Sequence, residues 1–275
     1  MNLSSEQKKA ISHVDGPALV LAVPGAGKTT VIIHRTANLI LNHNIKPDKI
    51  LSITFSKASA REMKERFNRI YRDAFSSSVH FSTIHSFSYN LIREYAIKKN
   101  IRYTLIENMD REVNKISILK EIYQYINKAI ITEEKLENLI NYIGYIKNML
   151  ITPEDFLSKF SVDIKNFKDI FYTYESYKAS NKFIDFDDML TLSLHILKED
   201  KHLLYKYRNK YEYIQVDEAQ DTSKVQMEII KLLSHPRNNL FLVADDDQSI
   251  YSFRGAYPEG LFEFTKIYKN CKIFY

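Results

Sequence analysis

The sequence has very little cysteine and no long apolar segment. Its single cysteine, Cys271, excludes a fold held together by internal disulfide bonds. No apolar run approaches the roughly 20 residues that a membrane-spanning helix needs, so no membrane partner is expected. The polar start, residues 1–10 (MNLSSEQKKA), contains no apolar stretch like that of a signal peptide. Together these absences predict a cytoplasmic protein.

The composition is that of an ordinary globular protein, with 45% apolar and 27% charged residues. A chain of 275 residues is longer than one hydrophobic core usually organises, so we expect two domains. The net charge of +5 is mildly basic and does not by itself identify a nucleic-acid partner. Function has to be sought in motifs.

The first part of the chain has the pattern of an α/β sheet. Residues 17–23 form an apolar run that ends in a Pro/Gly cluster, and apolar residues then recur at helical spacing over 29–41. Residues 50–55 and 79–81 are further short apolar strands, each followed by a helical stretch. Strands that alternate with helices predict a parallel sheet.

The pattern changes between about residues 107 and 200, where Ile, Leu and Tyr recur every three or four residues among Lys, Glu and Asn. This spacing predicts an all-helical insertion. Residues 213–216 and 240–244 are again apolar strands that end in acidic residues. The chain is therefore expected to rejoin the first sheet, which makes the first domain discontinuous.

A glycine-rich turn, residues 22–29 (AVPGAGKT), lies between the first strand and the helix that follows it. Such a loop directs backbone N–H groups and a helix N-terminus at phosphate oxygens. Lys28 is expected to reach the β- and γ-phosphates of a nucleotide, and the hydroxyl of Thr29 to complete the coordination shell of Mg²⁺. The competing interpretation is a simple turn, because Ala22 replaces the first Gly of the strict pattern.

Asp217 and Glu218 follow the apolar strand 213–216. One carboxylate can hold Mg²⁺ through water while the next orients the attacking water. Isolated Asp-Glu pairs are commonly surface charge, but open α/β sheets bind ligands at the carboxyl ends of their strands. The loop and the acidic pair together predict nucleotide hydrolysis.

With these residues in place, the chain resembles the superfamily 1 helicases of the UvrD/Rep/PcrA family, in motif order over nearly its whole length. The matching segments are LSSEQKKA (3–10), AVPGAGKT (22–29), ITFSKASAREMKER (53–66), STIHSF (82–87), FIDFDDML (183–190), VDEAQDTSKVQ (216–226) and ADDDQSIYSFRGA (244–256). The last two are highly specific. The resemblance implies an α/β fold: a RecA-like P-loop NTPase domain with a parallel sheet, interrupted by an all-helical inserted subdomain.

The resemblance also implies a role for each matching residue. ATP would be bound by Gln7, Pro24, Gly25, Ala26, Gly27, Lys28, Thr29, Thr30 and Arg35. Thr30 stands where the family commonly has an Arg near the nucleotide, whereas Arg35 falls where the family has its helix Arg. Thr29 and Asp217 would hold Mg²⁺. The catalytic set would be Glu218 as the base, Asp217, Lys28, and Gln248 as the sensor of the γ-phosphate.

By the same resemblance, single-stranded DNA would be contacted by Phe55, Thr83, His85, Tyr251 and Phe253, whose aromatic members would stack on unpaired bases. Gln220 and Arg254 would couple the ATP site to the DNA. The alternatives are a core position for Phe55 and a local capping or packing role for His85.

The domain limits implied are 1–86 and 211–275 for the motor domain (1A) and 87–210 for the helical subdomain (1B), with the second motor domain (2A/2B) absent from this chain. The full-length protein is expected to be a monomeric ATP-dependent DNA helicase. It would move 3′ to 5′, act on single-stranded DNA and duplex junctions, and serve DNA repair or replication. This chain alone is expected to hydrolyse little ATP, because an arginine across the cleft would be missing.

Three alternatives remain open: a nucleotide-gated nucleic-acid-binding module, a motor that acts on RNA, and the front half of a helicase-nuclease. The presence of Glu218 and Gln248 argues against the nucleotide-gated binding module, because both residues are expected to serve hydrolysis. Stacking and phosphate contacts do not by themselves distinguish RNA from DNA. A P-loop kinase is disfavoured, because it would need an acceptor site and gives no reason for segment 244–256.

Overall fold

A computed structural model describes residues 3–23, 25–71, 78–108, 113–245, 257 and 259–275 of the protein. The strands in these ranges are β1 (Ala18–Leu21), β2 (Ile50–Thr54), β3 (His80–Thr83), β4 (Thr104–Leu105), β5 (Phe183–Ile184), β6 (Tyr213–Val216), β7 (Leu240–Ala244) and β8 (Lys272–Phe274). Six of them form one sheet in the order β3-β2-β6-β7-β1-β8, with every neighbouring pair parallel. The predicted parallel α/β sheet is confirmed, and the fold is RecA-like.

Helices connect and cover the strands. They are α1 (Ser5–Ser12), α2 (Lys28–Leu41), α3 (Lys57–Tyr71), α4 (Ile84–Lys99), α5 (Lys115–Asn127), α6 (Glu133–Met149), α7 (Pro153–Lys159), α8 (Phe167–Asn181), α9 (Phe186–Glu199), α10 (Lys201–Lys210), α11 (Lys224–Ser234) and α12 (Glu259–Ile267). Most begin after a Ser, Thr, Asn or Asp whose side chain accepts a first-turn N–H, as at Ser4, Thr83, Asn114 and Asp185. In the described ranges, none of these helices is both long and apolar enough to cross a membrane.

Both faces of the sheet are buried. In β1, Leu19 packs into a cluster with α4, α9, α10 and α11, while Ala18 and Val20 face the opposite cluster with α2 and α3. Burial on both sides explains why the parallel strands were continuous apolar runs in the sequence. Since all six strands are parallel, their carboxyl ends lie along one edge, where the loops that follow can meet.

Helices α5 to α8 enclose a separate apolar cluster, which extends from Ile106 to Tyr174. Helix α4 runs across the predicted boundary at 86/87, and Leu91, Leu194 and Tyr207 belong to the same cluster as the sheet. The predicted subdomain limits, 87–210, therefore do not coincide with this division of the core. The reason is that α4, α9 and α10 direct their apolar faces at the sheet.

The prediction that the insertion is all-helical is wrong in one detail. Strands β4 and β5 pair in parallel, with Thr104 opposite Phe183 and Leu105 opposite Ile184. A ladder of two residues is too short to leave a periodic signal in the sequence.

A buried ion cluster joins β5 and α9 to the neighbouring helices. Asp185 caps α9 and lies 3.3 Å from Lys115 Nζ and 3.2 Å from Lys178 Nζ. Burial acts to raise the pKa of Asp185, but the ammonium groups of Lys147, Lys115 and Lys178 hold it well below its usual range. The acidic segment 185–188 therefore has a structural role between α5, α6, α8 and α9.

Candidate nucleotide-binding site

The glycine-rich turn leaves the carboxyl end of β1 and leads directly into α2. The backbone N–H of Ala22 donates to the carbonyl of Ala244 at the end of β7, at 3.1 Å. Gly25 and Gly27 have φ of +79° and +80°, a left-handed conformation that glycine adopts without steric cost. Gly27 is the N-cap of α2 and makes no side-chain cap, so the first-turn N–H groups remain for an anion.

The structure brings the predicted phosphate and metal residues together at the carboxyl edge of the sheet. Lys28 Nζ lies 2.9 Å from Asp245 Oδ2 and 3.9 Å from Glu218 Oε2. The Thr29 hydroxyl donates to Asp217 Oδ2 at 3.2 Å. A cation, a hydroxyl and carboxylates thus converge from the ends of β1, β6 and β7.

Glu218 turns the chain sharply out of β6. Its φ is +50°, which is uncommon for a residue with a side chain and often marks a functional position. Gln220 Nε2 donates to Glu218 Oε2 at 2.6 Å, and Gln220 Oε1 accepts from the backbone N–H of Asp245 at 2.9 Å. One amide side chain therefore links the end of β6 to the end of β7. Its predicted part in coupling stays a prediction.

The carboxylates at this edge carry more negative charge than their surroundings neutralise. Burial and the nearby Glu218 charge raise the pKa of Asp217 to about 6, although the Thr29 hydroxyl opposes the shift. Burial and the charges of Glu218 and Asp245 also raise the pKa of Asp221 to about 6. A divalent cation would relieve this repulsion.

We expect the substitution Asp217→Asn to stabilise the nucleotide-free chain at pH 7.5 but not at pH 4. A carboxyl group whose pKa rises on folding to about 6, from an ordinary value of about 3.9, costs stability as the pH rises through that window. Asparagine does not ionise, so the free energy of unfolding should increase by about 3 kcal/mol at pH 7.5.

Chemical denaturation at the two pH values measures this difference. Asp48→Asn is the control, because Asp48 is exposed and precedes β2 at the opposite edge of the sheet. An equal gain in the free energy of unfolding at pH 4 and pH 7.5 would show that the stabilisation does not come from removing an ionisable carboxyl group.

Gln7 lies against the glycine-rich turn. Its Nε2 donates to the carbonyl of Ala26 at 2.9 Å, and its Oε1 accepts from the backbone N–H of Ser4 at 2.9 Å. A β-carbon at Gly27 would lie 3.0 Å from Gln7 Nε2, so glycine there also permits the close approach of α1. Gln7, Gly25, Ala26 and Gly27 are therefore neighbours, as the prediction of a shared site requires.

Arg35 does not face the turn. Its guanidinium is fully buried and donates to the carbonyls of His13 and Val14, both at 3.0 Å, and to Gln215 Oε1 at 2.9 Å. This placement disagrees with the predicted nucleotide contact, because the donor groups are used inside the core. Arg35 instead fixes the segment after α1 to the middle of β6.

Two of the predicted DNA contacts lie directly beside the acidic pair. Phe55 follows β2 and is 47% exposed, and His85 lies in the first turn of α4. Both line a cavity of about 90 Å³ whose other walls include Asp217 and Glu218. Burial lowers the pKa of His85, so its ring is neutral at pH 7 and can contact a ligand by packing or as a neutral donor or acceptor.

Thr83 is placed differently from the prediction. Its side chain is buried and its hydroxyl caps α4 by accepting from the backbone N–H of Ser86 at 3.1 Å. A capping threonine that is buried in this way is not presented to DNA, so a direct contact disagrees with the structure.

Phe186 is a candidate that the sequence reasoning missed. It is the first residue of α9, is 50% exposed, and its ring centroid lies 6.4 Å from that of His85 at an angle of 86°. The sequence signal for it was an apolar residue at the first position of a helix, directly after the capping Asp185. A side chain at that position can remain outside the core. Phe186 therefore contacts His85, which lines the cavity together with Phe55, and these three residues are called the aromatic group below.

Several predicted residues lie outside the described ranges. They are Pro24 in the turn and Gln248, Tyr251, Phe253 and Arg254 after β7. Their predicted roles stay predictions.

A parallel sheet with a glycine-rich turn and lysine at the end of one strand, and an acidic pair at the end of another, is typical of P-loop nucleotide hydrolases with a RecA-like fold. The family model described as "UvrD/REP helicase N-terminal domain" matches residues 3–269. The chain belongs to this UvrD/REP helicase family.

Two relatives illustrate the similarity. The chain is 35% identical over 278 residues to "ATP-dependent DNA helicase Rep" of Buchnera aphidicola subsp. Acyrthosiphon pisum, which covers 99% of this chain and 42% of the relative. It is 34% identical over 276 residues to "ATP-dependent DNA helicase PcrA" of Staphylococcus aureus, covering 98% and 37%. The chain thus spans about two fifths of the length of these relatives.

Proposed function

We propose that this chain is the N-terminal, ATP-binding part of an ATP-dependent DNA helicase and that it binds Mg-ATP and single-stranded DNA. The observation that carries the proposal is the shared cavity, because Asp217 and Glu218 line the same space as Phe55 and His85. A DNA strand that contacts Phe55 and His85 would then lie next to the carboxylates that act on the nucleotide. Membership of the helicase family and the names of the relatives support this reading.

In this proposal Lys28 moves its ammonium from Asp245 to the β- and γ-phosphates, where a charge-assisted contact is stronger. Glu218 accepts a proton from the attacking water. Gln220, which already holds Glu218 Oε2, keeps the carboxylate oriented. Gln248, beyond the described part, would contact the γ-phosphate.

Thr29 and Asp217 fit a magnesium ion. Their oxygens lie 3.2 Å apart and are the hard ligands that Mg²⁺ prefers. Within the described residues, no group of three or more His, Cys, Asp or Glu side chains forms a metal cage. A site of one hydroxyl and one carboxylate leaves most positions to water and phosphate oxygens, which is the usual arrangement for nucleotide-bound Mg²⁺. The ion would supply charge neutralisation.

The remaining parts of the proposal concern the whole protein. Domain 1A would comprise the sheet and the helices that pack on it, and domain 1B the cluster of α5 to α8. A form that carries a second motor domain is proposed to act as a monomer in the cytoplasm, in DNA repair or replication. It would unwind a duplex with a 3′ tail and not one with a 5′ tail, which a strand-separation assay measures.

Removing an aromatic ring beside the cavity is expected to weaken binding of single-stranded DNA. Base stacking on an aromatic side chain contributes about 1–3 kcal/mol, so Phe55→Ala and Phe186→Ala should each raise the Kd for a labelled dT20 oligonucleotide about 5- to 150-fold. Fluorescence anisotropy of this chain, with and without a non-hydrolysable ATP analogue, measures the change.

Phe160→Ala provides a matched control, because Phe160 is 44% exposed, follows α7 as its C-cap, and contacts Phe156 of the separate helical cluster. Equal losses for Phe160 and Phe55 variants would argue against a stacking site at the cavity. Tighter binding of rU20 than of dT20 would favour the RNA motor. An equal Kd for dT20 with and without the ATP analogue would contradict coupling between the nucleotide wall and the DNA wall of the cavity.

A further inference from the structure

Arg66 extends from α3 to the first turn of α2, immediately after the glycine-rich turn. Its Nη2 donates to the hydroxyl of Thr30 at 2.8 Å, and Thr30 itself is buried. The hydroxyl of Thr30 therefore fixes the position of the guanidinium. Neither the phosphate residues nor the aromatic group described above includes Arg66.

The charge of Arg66 is poorly compensated. Across the described ranges, no carboxylate lies within salt-bridge distance of its guanidinium, whereas Arg61 on the same helix pairs with Glu65 at 3.9 Å. Burial, followed by the charge of Arg66, lowers the pKa of His34, so the positive charge also acts on α2. A half-buried cation that lacks a counter-charge gains free energy from a ligand that covers it.

The position of Thr30 decides which end of a nucleotide Arg66 can meet. Lys28 and Thr30 are two residues apart in a helix and therefore point in directions about 200° apart. Lys28 points to Asp245 and Glu218. The Thr30 hydroxyl lies within 3.7 Å of the point where a Gly27 β-carbon would be, and Gln7 Nε2 lies 3.0 Å from the same point. Arg66 is thus on the Gln7 side of the turn, away from the acidic pair.

We propose that Arg66 is a nucleotide-binding residue and that Thr30 is its positioning residue. This inference rests on the proposed function. The planar guanidinium packs against the base and ribose of the bound nucleotide, a mode of contact for which arginine is well suited. The chain therefore brings a cation to the nucleoside from α3 and uses the residue on α2 to hold it.

Isothermal titration of the chain with Mg-ATP, Mg-ADP and magnesium tripolyphosphate tests this assignment. We expect Arg66→Gln to raise the Kd for Mg-ATP and for Mg-ADP about tenfold. The Kd for magnesium tripolyphosphate should stay within twofold, because that probe has no base or ribose. Thr30→Val, which keeps the side-chain volume and removes the hydroxyl, should raise the Kd for both nucleotides about threefold. Thr30→Ser, which keeps a hydroxyl, should bind both nucleotides as the unaltered chain does.

Arg69→Gln is the matched control, because Arg69 is exposed on the same helix. Equal losses for ATP and tripolyphosphate would overturn the assignment in favour of a phosphate contact, and ATP binding within twofold of the unaltered chain would overturn it outright. A chain that binds no nucleotide even without substitution would contradict the proposed function itself. That outcome is distinguishable from failure at Arg66 alone.

Discussion

Replacement of Lys28 by methionine is expected to lower the affinity of the chain for Mg-ATP by about 100-fold or more. A hydrogen bond to a charged group contributes about 1.5–3 kcal/mol, which alone corresponds to about 10- to 100-fold. The structure adds a second cost. Lys28 is paired with Asp245 and lies 3.9 Å from Glu218, so its loss leaves these carboxylates to repel the triphosphate.

Lys49→Met is a closely matched control for this experiment. Lys49 also forms an ion pair, with Glu212 at 2.9 Å, but immediately before β2, at the amino edge of the sheet. Calorimetric titration should give an unchanged Kd for the Lys49 variant. A Lys28 variant that binds Mg-ATP within a few-fold of the unaltered chain would remove the basis for a phosphate site at this turn.

Glu218→Gln is expected to retain Mg-ATP binding and to lose hydrolysis by about 10²- to 10⁴-fold, the usual contribution of a general base. Glutamine keeps the shape of the side chain, and its carbonyl oxygen can still accept from Gln220 Nε2. The change therefore removes proton acceptance while preserving the link to β7. Binding and turnover should respond separately.

The rate has to be measured with single-stranded DNA present and in a form that carries a second motor domain, since an arginine across the cleft contributes about 10³ to 10⁵ in rate. Glu212→Gln, at the amino edge of β6, serves as the control. Substantial residual turnover by the Glu218 variant would assign the base elsewhere. If the unaltered protein hydrolyses no ATP with any nucleic acid, a nucleotide-gated binding module becomes the better account.

Five of the six strands of the central sheet were predictable from the sequence to within a few residues. Strands β6 and β7 coincide with the predicted 213–216 and 240–244, because parallel strands buried on both faces are uninterrupted apolar runs. Strands β4, β5 and β8 were not predicted, since two or three residues at an edge or beside a helix produce no periodic signal.

Motif matching located positions in the sequence but could not give side-chain directions. Arg35 occupies a matching helix position, yet its guanidinium is buried against β6. Thr83 matches the DNA segment, yet its hydroxyl caps α4. In contrast, Phe186 was overlooked although it is half exposed beside His85. Whether a side chain is free for a ligand depends on tertiary packing, which a pattern of residue types does not encode.

The amide of Gln220 has one donating end and one accepting end, and only one of its two flipped orientations satisfies both Glu218 and the backbone of Asp245. The connection between the two strand ends therefore has a polarity. A carboxylate has two oxygens, so Glu218 Oε2 can accept from Gln220 while its other oxygen faces a water molecule, and the link from β6 to β7 can persist while the base is engaged.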